Sequence, residues 1–194
     1  MPLLKGNRYR RSGWTQWCVM LLASLVTIPL HAPAQETISR EFQIKAVFLF
    51  NFTQFVQWPA SAFTDATSPF VIGILGEDPF GAYLDETVRN EAVGDHKLVV
   101  ERYPTPADIK DCHILFISLS NRQEVRQALD AVKGKPVLTV SDSEGFARTG
   151  GMVRLYNEGG HIRLRINLQP ADDASLLMSS KLLRLADIVQ AKNK

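Results

Sequence analysis

The chain has 194 residues, with 22 lysines and arginines against 20 aspartates and glutamates, a formal net charge of +2. The first 34 residues hold Lys5, Arg8, Arg10 and Arg11 and no acid, so removing these four from 22 leaves 18 basic against 20 acidic residues, a net −2. That balance excludes a nucleic-acid binder on charge grounds, and the apparent basicity belongs to the leading segment.

The leading segment has a basic start, an apolar run from Trp17 to Leu30, and Ala32-Pro33-Ala34 as a small-x-small cleavage site before Gln35. It reads as a secretory signal peptide over residues 1–34, leaving residues 35–194 as a single globular domain. The apolar run is shorter than the roughly 18–20 residues that cross a bilayer, which favours cleavage over an uncleaved anchor, and the cleaved chain is expected not to span a membrane. Export leaves Cys112 as the only cysteine, which has no partner for an internal disulfide. Because it leads into the apolar run His113-Ile114-Leu115-Phe116-Ile117, burial is the expectation.

Residues 41–58 read as a helix ended by Pro59, since a residue before proline avoids helical geometry. On a helical wheel Ile44, Phe48, Leu49, Phe52, Phe55 and Val56 share an arc that faces the core. Val47, Phe50 and Trp58 fall among Gln43, Asn51, Gln54 and Gln57. Phe50 is therefore either tucked under a loop or an anchor for a partner. Phe70–Gly76 is a continuous apolar run, as in a strand covered on both faces. Asp78-Pro79 offers an N-cap and first-turn pair for a helix to about Asn90. A strand over Lys97–Tyr103, a helical turn from Pro104 to Lys110 and a central strand His113–Leu119 follow. Asn121 or Ser120 caps a helix Gln123–Lys133, which Gly134 closes. Pro136–Val140 is a third buried strand.

From Ile162 to Leu168 apolar residues alternate with Arg163, Arg165 and Asn167, the period of a half-buried strand. Val153 and Leu155 alternate with Arg154 and Tyr156, and Asn157-Glu158-Gly159-Gly160 supplies a turn, so the two runs pair as a hairpin. Centring the turn on Glu158-Gly159 opposes Leu155 to Ile162, Val153 to Leu164, Tyr156 to His161 and Arg154 to Arg163. Like charges across a strand pair destabilise it by a few tenths to about 1 kcal/mol, so this arginine face wants acidic company from this chain or another. Gln169–Ser175 reads as a short helix. Ser179 or Ser180 caps a last helix lined by Leu182, Leu185 and Val189. Strands alternating with helices predict an α/β fold, a three-layer α/β/α sandwich whose mainly parallel sheet is extended by the C-terminal antiparallel hairpin.

Catalytic patterns are sparse. His96, His113 and His161 lie in no metal-binding spacing, Gly73-x-x-Gly76 lacks the rest of a dinucleotide fingerprint, and no serine sits in a GxSxG elbow. No enzyme activity, metal or cofactor is implied. The carboxyl ends of the parallel strands gather Glu77, Ser118, Ser120, Ser141 and Asp142, where a small-molecule crevice forms in such sheets, although ordinary turn chemistry accounts for the same residues. A solute-sensing module is thus the alternative to a protein-binding one.

The assembled pattern resembles the YfiR-like family of periplasmic regulators. The segments that carry the resemblance are Ile44–Phe52 with Phe55-Val56-Gln57-Trp58-Pro59, Phe70–Gly76, Cys112–Ser118, Val137–Asp142 with Gly145-Phe146-Ala147, Gly150-Gly151-Met152, Arg163–Leu168 and Ser179–Ala186. They run in order from about Phe42 to Val189. The resemblance implies a non-enzymatic periplasmic repressor that binds the sensor domain of an inner-membrane diguanylate cyclase. An outer-membrane-associated lipoprotein would remove it, so that cyclic-di-GMP output, biofilm formation and motility follow. It also implies dimerisation. Better-known members carry further cysteines in intramolecular disulfides, and here only Cys112 is present beyond the leader. On this reading Phe50, Arg154, Tyr156, His161, Arg163 and Arg165 are the candidates for partner binding.

Overall fold

The computed structural model describes residues 39–189, so the expected signal peptide and its cleavage site lie outside the described residues. Helix α1 spans Arg40–Phe55 and is capped by Ser39, whose side chain accepts from the Phe42 amide. Strands β1 (Val56–Gln57) and β2 (Phe70–Gly76), helix α2 (Ala82–Val88), and strands β3 (Ala92–Val93), β4 (His96–Tyr103) and β5 (Ile114–Ser118) follow. Next come α3 (Arg122–Ala131), β6 (Leu138–Ser141), β7 (Val153–Glu158), β8 (His161–Asn167), α4 (Leu168–Asp173), β9 (Leu177–Met178), α5 (Ser180–Leu183) and β10 (Ala186–Val189).

Eight strands form one sheet in the order β10-β8-β7-β6-β5-β2-β4-β3. The central pairs β4–β2, β2–β5, β5–β6 and β6–β7 are parallel, and the β7–β8 hairpin is antiparallel. Alternation divides the apolar side chains between two cores. On the first face Ile72, Ile74, Phe116, Val140, Leu155, Leu164 and Ile166 pack with Ala46, Leu49 and Phe52 of α1, Leu84 of α2 and Leu182 of α5. On the second face Val71, Leu75, Leu115 and Ile117 pack with Ala128 of α3, Val132 and Phe146. The fold is α/β with helices on both faces of a mostly parallel sheet, in agreement with the expected architecture.

Two of the sheet's glycines serve packing, which explains the Gly73-x-x-Gly76 pair. Gly76 has φ of +88°, and a Cβ there would lie 2.5 Å from the Ser118 carbonyl oxygen on the neighbouring strand; a Cβ on Gly73 would meet the Tyr103 ring at 2.6 Å.

Several expectations are corrected. Helix α1 stops at Phe55, before Trp58, because Val56 and Gln57 pair with Met178 and Leu177, and the Ser179 amide donates to the Phe55 carbonyl. Its inward face is turned from the predicted arc. Ile44 is exposed while Lys45, Ala46 and Thr53 are buried, because ion pairs draw a lysine inward that a hydropathy pattern counts as polar. Asp78 caps the turn ahead of α2 by accepting from the Phe80 and Gly81 amides, and the helix starts only at Ala82, after Gly81 at φ of +50°. The hairpin turns on Gly159-Gly160, both at positive φ, rather than on Glu158-Gly159. Leu155 therefore opposes Leu164, Val153 opposes Ile166, Tyr156 opposes Arg163 and Arg154 opposes Arg165. The slip is two residues, so every side chain keeps its predicted face. The last helix is reduced to α5, capped by Ser179. The chain beyond it is β10, which runs parallel to β8 with Asp187 beside Arg165.

Candidate functional site

The side chains of β7 and β8 that alternate away from α1 form the arginine face. Arg154 and Arg165, directly opposed, sit on the Tyr156 ring, with guanidinium carbons 5.0 and 4.8 Å from its centroid. The ring shares two cations whose mutual repulsion would otherwise oppose the pairing. The acidic company comes from this chain. The Tyr156 hydroxyl donates to Asp187 Oδ2 at 2.7 Å, and Arg165 Nη2 donates to the same oxygen at 3.2 Å and to the Tyr156 oxygen at 3.4 Å. Arg154 Nε donates to the Asp142 carbonyl at 3.3 Å. These bonds to its charged form hold Asp187 below the usual carboxylate range, the tyrosine first and the arginine second; the same bond, first among its causes, raises the Tyr156 hydroxyl.

Further along the hairpin the grip loosens. Arg163 lies 3.6 Å from Glu158 with both side chains exposed, and His161 is exposed opposite Glu158. The face thus has a fixed half, Arg154-Tyr156-Arg165, and a solvated half, Arg163 and His161. Behind it, Arg165 Nε and Asn167 Oδ1 are buried without a protein partner, while Asn167 Nδ2 donates to the Ala147 carbonyl.

Phe50 is half-buried against the first core, on α1 and therefore across the sheet from the arginines. The structure does not bring the two sets together. Of the crevice candidates, Ser141 is fully buried; its hydroxyl donates to the Ile117 carbonyl at 2.7 Å and accepts from the Ser143 amide at 3.2 Å. Asp142 is drawn to Lys45 Nζ at 2.8 Å. Ser118 is half-buried, and Glu77 and Ser120 are exposed. Three cavities are lined by other residues. One of about 320 Å³ lies between α3, the turn Thr149-Gly150 and α4, another of about 260 Å³ adjoins Cys112 and His113, and the third borders the end of β4. Cys112 is a free, buried thiol pushed up to about 12, first by burial and then by Asp111 and Glu101. Among the described residues no group of histidines, cysteines and carboxylates is spaced to hold a metal ion. No described helix is long and apolar enough to cross a membrane.

Residues 42–187 match the profile of the YfiR/HmsC-like family, which spans both cores, the arginine hairpin and Asp187 of β10. The chain belongs to the YfiR/HmsC-like family. This family is regulatory, acting in the periplasm in cyclic-di-GMP signalling. No curated protein matches the chain. An ABC domain in complex with L-Trp from Streptococcus pneumonia is similar at 10% identity and a TM-score of 0.46 over 62% of this chain; the match spans 55% of that structure, and so low a likeness carries no argument.

Sequence reading missed three residues of these polar centres. Asp187 could be placed only once residues 186–189 were a strand beside β8. Lys45 and Glu41 had one local signal, their i, i+4 spacing, which speaks for an ion pair but not for burial.

Proposed function

We propose that this YfiR/HmsC-like protein is a non-enzymatic periplasmic repressor. It binds the periplasmic sensor domain of an inner-membrane diguanylate cyclase, holds cyclic-di-GMP output low, and is withdrawn by an outer-membrane-associated lipoprotein. The observation that carries the reading is the arginine face. Asp187 holds Tyr156 and Arg165 in place, and Arg154 rests on the same tyrosine ring and on the Asp142 carbonyl, beside an Arg163 whose ion pair with Glu158 is exposed, on a chain that is net negative beyond its first 34 residues. A positive patch against the overall charge, with one half fixed before binding, fits an acidic protein surface.

Arg163→Glu tests it. The side chain is exposed and points away from the core that holds Leu164, so the fold is expected to survive. Binding to the cyclase sensor domain or to the lipoprotein should weaken and lose part of its salt dependence. In cells, loss of the cyclase contact raises cyclic-di-GMP, whereas loss of the lipoprotein contact keeps it low. A folded variant that binds both partners with unchanged affinity would remove the arginine face from the interface. The solute-module reading has the cavity of about 320 Å³ in its favour, with Arg126, Asp130, Lys133 and Asp173 around it, and predicts a small ligand that raises the melting temperature.

A further inference from the structure

The segment 58–69, which joins α1 and β1 to β2, is folded on itself by local bonds such as Ala62 N–H to Pro59 O and the Asp65 side chain to the Thr67 amide. Its attachment to the sheet runs largely through two imidazoles. His113 Nε2 lies 3.1 Å from the Ala62 carbonyl, and His96 Nδ1 lies 2.6 Å from the Ser68 carbonyl. Between the two rings sits Phe63, stacked on His96 at 3.9 Å and on His113 at 4.6 Å between centroids. Phe70 covers His113 at 4.5 Å, and Trp58 Nε1 donates to the His113 carbonyl.

The tautomer of His113 is fixed by its neighbour. The Val71 amide reaches His113 Nδ1 at 3.0 Å, and a backbone N–H can only donate, so Nδ1 must be the bare nitrogen. The ring hydrogen is then on Nε2, where it donates to Ala62. A proton added at Nδ1 would set N–H against N–H in a site where His113 is only 6% exposed. The ring has to leave that position, and the bond to Ala62 and the stack on Phe63 go with it. His96 already needs its hydrogen on Nδ1 to reach the Ser68 carbonyl, so a proton on its other nitrogen, Nε2, would leave that bond intact.

We propose that His113, Phe63 and His96 form a proton-sensitive clamp, which holds segment 58–69 on the sheet while His113 is neutral and releases it when His113 takes up a proton. The charged and titratable groups around it come from every side: His96 on β4, Lys110, Asp111 and Cys112 before β5, Lys135 before β6, and Asp65 within the segment. Burial, the largest influence, and His96 oppose the imidazolium, while the bond to the Ala62 carbonyl and Asp111 favour it, and the balance lowers His113 from its ordinary 6.5. The released form binds the proton more tightly, so closure is fully favoured above pH 6.5 and weakens as the pH falls through and below that value. Opening uncovers Phe63, Phe70 and Trp58. The clamp is independent of the repressor reading and adds a response to acid.

Hydrogen exchange on the full chain at pH 8 and pH 5, corrected for intrinsic rates, tests it. Protection over residues 60–69 and at Val71 should fall by a factor of up to about 30 at pH 5, the limit in which the closed form takes no proton. Protection in α3 should not change. In His113→Asn, whose oxygen can accept from Val71 but cannot titrate, the pH effect on the segment should disappear. If that variant does not fold, ring nitrogen shifts of the unmodified protein decide: His113 must carry its hydrogen on Nε2 at pH 8 and titrate below 6.5. Protection independent of pH, an equal loss in α3, a pH effect retained in a folded His113→Asn, or an Nδ1–H tautomer would each overturn the clamp.

Discussion

Lys45 should show an inverted cost: removing the cation does less harm than removing the charges that hold it. The Lys45 side chain is 2% exposed, with Nζ 2.6 Å from Glu41 Oε1, 2.8 Å from Asp142 Oδ2 and 4.4 Å from the Phe42 ring centroid. Its two acids keep 35% and 30% of their side-chain surface in water. Lys45→Met places an apolar chain of similar length under α1 and leaves two carboxylates that can turn outward. The remaining cost is their mutual repulsion and one lost set of hydrogen bonds, about 1–2 kcal/mol in all. Glu41→Gln with Asp142→Asn keeps the shapes but strands a buried ammonium, which costs on the order of 3–5 kcal/mol. For a domain of this size that cost is a drop in melting temperature of roughly 6–20 °C, against roughly 2–8 °C for Lys45→Met. Urea denaturation of the three proteins at pH 7 and low salt, with a thermal melt as a second measure, separates the two cases. If Lys45→Met is as destabilising as the double amide variant, the ion pair itself stabilises α1 on the sheet and the stranded-charge reasoning is wrong.

Cys112, at 6% exposure and with its thiol pushed up to about 12, should react with a thiol reagent at pH 8 only after denaturation. Rapid stoichiometric labelling of the folded protein would contradict its burial. Gly151→Ala should destabilise by about 1–3 kcal/mol or more, since the added Cβ would fall against ring carbons of Phe146 in the second core. A denaturation midpoint equal to that of the parent would show that the Phe146 ring can move aside.

The sequence by itself determined the layers of this protein. Phe70–Gly76 and Ile114–Ser118 are strands because short continuous apolar runs between helical segments bury both faces in a parallel sheet, and the alternation from Val153 to Asn167 set which face of the hairpin is polar. Asn121 and Gly134 marked the ends around α3 because caps are local chemistry: the Asn121 side chain accepts from the Gln123 amide, and Gly134 has φ of +71°. What tertiary structure decided is non-local. Residues 180–189 carry Leu182, Leu185 and Val189 at helical spacing, yet β8 offers an open edge, and pairing with it outweighs a weak propensity. Only that pairing places Asp187 on Arg165 and Tyr156. The hairpin register slipped by two because such a shift leaves the face pattern unchanged, and the Gly159-Gly160 turn had to choose. Lys45 looked like a surface residue because a pattern of hydropathy cannot know that Asp142, 97 positions away, waits at the end of β6 to meet its charge.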